Sequence, residues 1–130
     1  RRAWRSDQAM TVRVRRAYDP PAAEDGCRVL VDRLWPRGLA REDARIEHWL
    51  RELAPSHELR KWFAHDPARW DEFRRRYADE LRAPAAAAAL AELRGLLAAH
   101  PVLTLLHAAR DTTHNNAEAL REWLARGRPS

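Results

Sequence analysis

The sequence predicts a small α/β domain of three layers, with a short, mostly parallel sheet and four or five helices. Three observations carry that expectation. Two apolar runs of strand length, residues 27–34 and 102–109, hold Val29, Leu30 and Val31 in one and Val102, Leu103, Leu105 and Leu106 in the other. Apolar side chains on both faces of a strand mark a strand covered on both sides. Between the two runs, apolar residues recur at helical spacing, and strands separated by helices return to the sheet in parallel. The length of 130 residues suits one domain, and 45% apolar with 33% charged residues is enough for a core.

The elements follow in order. Residues 1–9 are set apart: the chain starts with arginine, Met10 is its single methionine, and a strand pattern begins directly after it. These residues are read as a tag remnant or disordered upstream extension, with the domain at 10–127. Residues 11–17 alternate, with Val12 and Val14 on one face and Arg13 and Arg15 on the other, as in a half-buried strand near a sheet edge. Asp19-Pro20-Pro21 and Glu24-Asp25-Gly26 bracket the connection to residues 27–34, and Trp35-Pro36-Arg37-Gly38 ends that run in a tight loop. From residue 41, Ile46, Trp49, Leu50 and Leu53 fall at i, i+3, i+4 and i+7, which predicts a helix ended by Pro55. Ser56 is placed to cap a short turn through Phe63, and Asp66-Pro67 to start a helix bearing Trp70, Phe73, Tyr77 and Leu81. Pro84 opens another, with Leu90, Leu93 and Leu97 inward. The last helix is expected from about His114 to Arg126, with Gly127 as its C′ residue. Trp49, Trp62, Trp70 and Trp123 fall on apolar stripes and are assigned to the core. The sheet is small for this many helices, so a homodimer that extends or covers it is one expectation.

Charge and composition narrow the function. The net charge is +5 with a pI near 10.5. Six arginines and one acid fall within residues 1–16, and the remaining 114 residues are neutral. The basic character therefore belongs to one end, whereas a nucleic-acid binder shows a clustered basic face. Arg60-Lys61-Trp62 mixes cations with an aromatic ring, as a nucleic-acid surface does. Arg74-Arg75-Arg76 is matched by Asp71, Glu72, Asp79 and Glu80 on the same stretch, which reads as a solvated face. The single Cys27 rules out an internal disulfide and reads as a buried thiol. The six histidines form no HxH or HExxH spacing, so no metal or other cofactor is expected. No apolar run reaches the ~18 residues of a membrane span, and cytoplasm is the default location.

The candidate site lies at the strand ends. In open parallel sheets, ligands bind beyond the carboxyl ends of the strands, near helix N-termini that favour anions. The first central run ends in Asp32, Arg33 and Arg37; the second leads to Arg110, Asp111, His114, Asn115 and Asn116. Arg33, Arg37 and Arg110 offer guanidinium forks for a phosphate or carboxylate, with Asp111, Asn115 and Asn116 completing the binding set. Asp32 would orient an arginine or act as base, and His114 would move protons. Plainer readings stand beside these. In these, Asp32 and Arg33 form a structural ion pair, Asp111 or Thr113 caps the last helix, and the two asparagines only satisfy loop backbone.

The string Val31-Asp32-Arg33-Leu34-Trp35-Pro36-Arg37-Gly38 carries a family resemblance. Tyr18-Asp19-Pro20, Leu53-Ala54-Pro55-Ser56, His107-Ala108-Ala109-Arg110-Asp111 and His114-Asn115-Asn116-Ala117 add to it. Together they resemble the YeaO-like branch of the domain-of-unknown-function 488 (DUF488) family, from about Val12 to Leu124. The resemblance implies a small bacterial or archaeal α/β domain with no settled activity. Distant members carry cysteines and a glutamate in the second cluster that this chain lacks, so thiol or metal chemistry does not transfer. Tyrosine is common in the branch where this chain has His107. Three functions remain open: a site for a small anion such as a nucleotide or phosphorylated metabolite, with or without catalysis; a nucleic-acid-binding or regulatory module built on the basic N-terminal strand and Arg60-Lys61-Trp62; and a ligand-free interaction protein.

Overall fold

Residues 11–127 are described by the computed structural model; the appendage read at residues 1–9 lies outside them. Four strands, β1 (Thr11–Arg16), β2 (Cys27–Leu30), β3 (His48–Trp49) and β4 (Val102–His107), form one sheet in the order β1-β4-β2-β3. Every pairing is parallel. The two apolar runs are neighbours, with Val29 opposite Leu105 and Leu30 opposite Leu106, and the alternating strand is an edge, as the sequence predicts. Both central strands are shorter than their apolar runs. They end because the Asp32 carboxylate accepts the Ala108 N–H at 2.9 Å, a side chain taking the bond that a ladder carbonyl would have taken.

Face alternation sets the layers. Cys27, Val29, Val31, Leu103 and Leu105 point into the larger core. Leu30 and Leu106 point the other way, into a smaller core with Ala17, Ala44 and Ile46. Val102, expected to be buried, is only half-buried at the open start of β4. Four helices, α2 (His57–Phe63), α3 (Trp70–Arg82), α4 (Ala87–Ala99) and α5 (Asn116–Arg126), supply the larger core, and the short α1 (Arg41–Ala44) belongs to the smaller one. The third layer is therefore thin.

One element departs from its sequence pattern. The helix expected from residue 41 to Leu53 is α1, then β3, then a 3₁₀ turn at Arg51–Leu53. Arg45 takes a left-handed conformation (φ 48°) and stops α1 after four residues. Glu47 N–H then bonds Arg28 O at 3.0 Å and Leu50 N–H bonds Leu30 O at 2.9 Å. The free edge of β2 needs backbone partners, and that requirement outweighs a helical spacing of four apolar residues. The other helix signals hold. Ser56 Oγ accepts from Leu59 N–H at 3.1 Å, and Asp66 accepts from Ala68 N–H at 3.0 Å. Gly127 follows α5 with φ −82°, so that helix ends without a left-handed residue.

The tryptophans expected in the core are half-buried and carry arginines: Arg76 lies 4.3 Å over Trp62, Arg51 4.7 Å over Trp49, Arg74 5.6 Å over Trp70 and Arg94 5.9 Å over Trp123. Each guanidinium covers a ring that the core leaves partly open. Cys27 is buried, and burial with the nearby Glu47 carboxylate pushes its thiol up to about 11, far from nucleophilic use.

Beneath the thin layer lies a buried ion pair. Asp25 and Arg28 are both fully buried and meet at 2.5 Å. Arg28 Nε donates to Ala44 O at 3.0 Å, and Thr104 Oγ1 donates to Asp25 O at 2.7 Å, so the pair joins β2, β4 and α1. The turn that presents Asp25 depends on Gly26, whose φ is +64° and whose absent Cβ would stand 2.2 Å from Val102 O. Gly26→Ala should cost at least about 1–3 kcal/mol through backbone strain alone. A urea midpoint within error of the parent would contradict this geometry.

Candidate functional site

A cavity of about 460 Å³ opens at the carboxyl ends of β2 and β4, beside the start of α5. Asp32 is its best-held residue. Its Oδ2 accepts from Ala108 N–H at 2.9 Å and its Oδ1 from Asn116 Nδ2 at 3.1 Å, while its own carbonyl accepts from Trp49 Nε1 at 2.7 Å. Asn116 also donates to Val31 O at 3.0 Å. Arg16 of β1 grips the far side of this turn, donating to Ala109 O at 2.9 Å and Ala108 O at 3.1 Å. Burial pushes the Asp32 carboxyl above its ordinary range, against the pull of the Ala108 N–H, Asn116 and the Arg60 charge.

The second cluster forms a turn around Asp111. Its Oδ1 accepts from the N–H groups of Thr113 and His114, each at 2.9 Å, and its Oδ2 meets His114 Nδ1 at 3.0 Å. The His114 and Thr113 amides hold the Asp111 carboxyl far below the usual carboxylate range. The helix begins at Asn116 instead of His114, and its cap is Asn115 instead of Asp111 or Thr113: Asn115 Oδ1 accepts from Glu118 N–H at 2.9 Å. Asp111 is thus a turn former that fixes the His114 ring, which also stands edge-on to Trp70 at 5.3 Å.

Of the sequence-predicted set, Asp32, Arg33, His114, Asn115 and Asn116 line this cavity, and Arg37, Arg110 and Asp111 do not. Both of those arginines are exposed, and the Arg37 carbonyl accepts the Tyr18 hydroxyl at 2.9 Å. Arg37 follows the Trp35-Pro36 turn and Arg110 lies in the loop after β4, both beyond the last ladder residues of their strands. Arg33 and Asp32 form no ion pair; Arg33 donates to Ala54 O at 3.1 Å. In place of the missing arginines, α2 delivers Arg60 and Lys61. Sequence reasoning noticed these two cations but placed them on a separate surface. His65, on the rim after α2, was missed altogether. It follows Ala64, and both adopt left-handed backbone, at φ 57° and 49°.

Charge separates this cavity from a larger one of about 940 Å³ beside α3 and α5. There Arg74 pairs with Asp71 and Glu122, Arg82 with Asp79, and Arg121 with Glu118. Around the smaller cavity, Arg33, Arg60 and Lys61 have no carboxylate at salt-bridge distance among the described residues.

Comparison with known proteins settles the family. The model described as the inactive DUF488-N3 subclade matches residues 11–128. The chain belongs to the DUF488 family. Within it the chain is YeaO-like, with 40% identity over 119 residues to the uncharacterised protein YeaO of Escherichia coli K12, covering 88% of this chain and 97% of YeaO. An uncharacterised protein of Mycobacterium tuberculosis H37Rv is 48% identical over 99 residues, covering 76% of this chain and 84% of that protein. A Mycobacterium bovis protein gives the same figures. No solved structure matches the chain. The DUF488 match covers the whole sheet and all five helices. No helix among the described residues is long and apolar enough to cross a membrane.

Proposed function

We propose that this DUF488 chain binds a small anionic ligand, without transforming it, in the 460 Å³ cavity at the strand ends. One observation carries the reading. Arg33, Arg60 and Lys61 line one cavity with no acidic partner at salt-bridge distance among the described residues, whereas the arginines of the larger cavity are mostly paired. Cations left without partners around a concave site attract an anion, and arginine adds bidentate geometry for phosphate or carboxylate. The start of α5 adds its macrodipole in the same sense.

Binding is favoured over turnover by the state of Asp32, one of the two candidate catalysts. Both oxygens of Asp32 already accept hydrogen bonds, from the Ala108 N–H and from Asn116, so the carboxylate is committed to holding the two strand ends together. These bonds suit a scaffold that shapes a cavity. The word "inactive" in the description of the matching subclade agrees. A cytoplasmic setting, where phosphorylated metabolites abound, goes with this reading. The nucleic-acid alternative is weaker because the Trp62 ring already lies under Arg76 at 4.3 Å and Arg69 at 5.3 Å. A base would have to displace both to stack there.

Titration calorimetry with sugar phosphates and dicarboxylates tests the proposal. Arg60→Ala and Lys61→Ala should each weaken the best ligand by roughly 1.5–3 kcal/mol, the range for a charge-assisted contact. Arg37→Ala and Arg110→Ala should bind like the parent, since neither residue lines the cavity. Loss of binding on Arg37→Ala with none on Arg60→Ala would move the site elsewhere, and silence across the whole panel would end the proposal.

A further inference from the structure

The same cavity has a second kind of wall. Besides Arg33, Arg60 and Lys61, it is lined by Phe63, Phe73, His65 and His114. Phe63 stacks on Phe73 with centroids 4.4 Å apart, and the His65 ring lies 6.3 Å from Phe63 at a tilt of 54°. Phe63 and Phe73 are buried, so the ring that can face a ligand on this side is the exposed His65. Its position is set by two consecutive left-handed residues, Ala64 and His65, at φ 49° and 57°. Side chains other than glycine, asparagine, aspartate and histidine adopt that conformation reluctantly. The turn carries the chain sharply off α2 and leaves an imidazole at the rim of a cationic cavity.

Resting on the anion-site reading above, we propose that the ligand is a mononucleotide: a phosphate held by Arg33, Arg60 and Lys61, and a base stacked against His65 on the Phe63–Phe73 wall. Free phosphate or a small dicarboxylate would answer the cations and leave the exposed His65 ring without a partner. A phosphate joined through a sugar to a flat heteroaromatic ring answers both. The volume agrees: 460 Å³ lies within the ~300–1,000 Å³ usual for enclosing a small organic ligand and far exceeds the needs of an inorganic anion. Asp32 lines the same cavity and adds a carboxylate, an acceptor of the kind the N–H groups of a base require and inorganic phosphate does not.

Calorimetry with AMP, GMP, CMP, UMP, adenosine, ribose 5-phosphate and inorganic phosphate separates the possibilities. At least one mononucleotide should bind tenfold or more tightly than ribose 5-phosphate, a difference of about 1.4 kcal/mol. Adenosine should bind more weakly than AMP. His65→Asn, which suits the left-handed backbone and removes the ring, should bring the best nucleotide down to the level of ribose 5-phosphate and leave ribose 5-phosphate itself within twofold. Lys61→Ala should weaken nucleotides and ribose 5-phosphate alike. Equal affinity for ribose 5-phosphate and every mononucleotide would overturn the nucleotide inference and leave the anion site standing. Failure of all seven compounds to bind the parent chain would remove both.

Discussion

Asp25→Ala should destabilise the domain by about 3–5 kcal/mol, the cost of removing one partner from a buried ion pair. The Asp25 and Arg28 side chains both have zero exposure, and their 2.5 Å contact is reinforced from several elements. Arg15 reaches Asp25 Oδ1 at 3.1 Å, and Ala22 N–H reaches Oδ2 at 3.0 Å. Without the carboxylate, the Arg28 guanidinium stays under α1 with Ala44 O as its remaining partner. The loss should appear as a lower urea midpoint in tryptophan fluorescence. The double variant Asp25→Ala/Arg28→Met should recover a large part of it, because an apolar replacement of a whole buried pair is often close to neutral. The pH dependence has a definite sign. Burial alone would raise the Asp25 pKa, but the Ala22 N–H and the two guanidiniums outweigh it and the folded value is lowered. The stabilisation is therefore complete above the ordinary aspartate pKa of about 4 and is lost as pH falls below it. A cost under about 1 kcal/mol for Asp25→Ala would mean that water reaches the pair.

The same pair shows where sequence reasoning stopped. Asp25 stood out only as part of a turn, and Arg28 not at all. The two are three residues apart in different elements, and nothing in their spacing announces that one neutralises the other beneath α1. The apolar runs were legible because burial on both faces leaves a compositional trace that needs no partner to be seen. The segment at 41–53 was not, because Ile46, Trp49, Leu50 and Leu53 fit a helix by spacing while the deciding factor was the unpaired edge of β2. At the site, the strand ends delivered Asp32, Arg33, His114, Asn115 and Asn116 as expected. The side chains of Arg37 and Arg110 depended on which way two loops turned, and periodicity carries no information on that. Arg60 and Lys61 enter from α2, whose approach to the strand ends is set by tertiary packing alone.

His107→Phe should flatten the acid side of the stability curve. His107 ends β4 at 1% exposure, and its Nδ1 is buried without a hydrogen-bond partner among the described residues. Burial pushes its pKa down to about 4, and the neighbouring Arg16 charge pushes the same way, against weaker pulls from Asp19 and Asp111. In the unfolded chain an imidazole titrates near 6.5. Between these two values the unfolded chain binds a proton that the folded chain refuses. Stability is therefore full above about pH 6.5 and declines as pH falls toward 4, by about 3 kcal/mol at 1.36 kcal/mol per pKa unit. Asp32 contributes the opposite slope near the acid end, since its folded pKa is raised, but that contribution is common to the parent and the variant. Urea unfolding at pH 7, 6, 5 and 4.5 should show the parent losing stability steadily while His107→Phe loses far less. The replacement keeps an aromatic ring at the end of β4 and leaves no buried nitrogen. Parallel curves for the two proteins would show that His107 is protonated equally in the folded and unfolded chain, and so that the end of β4 is wetter than its burial implies.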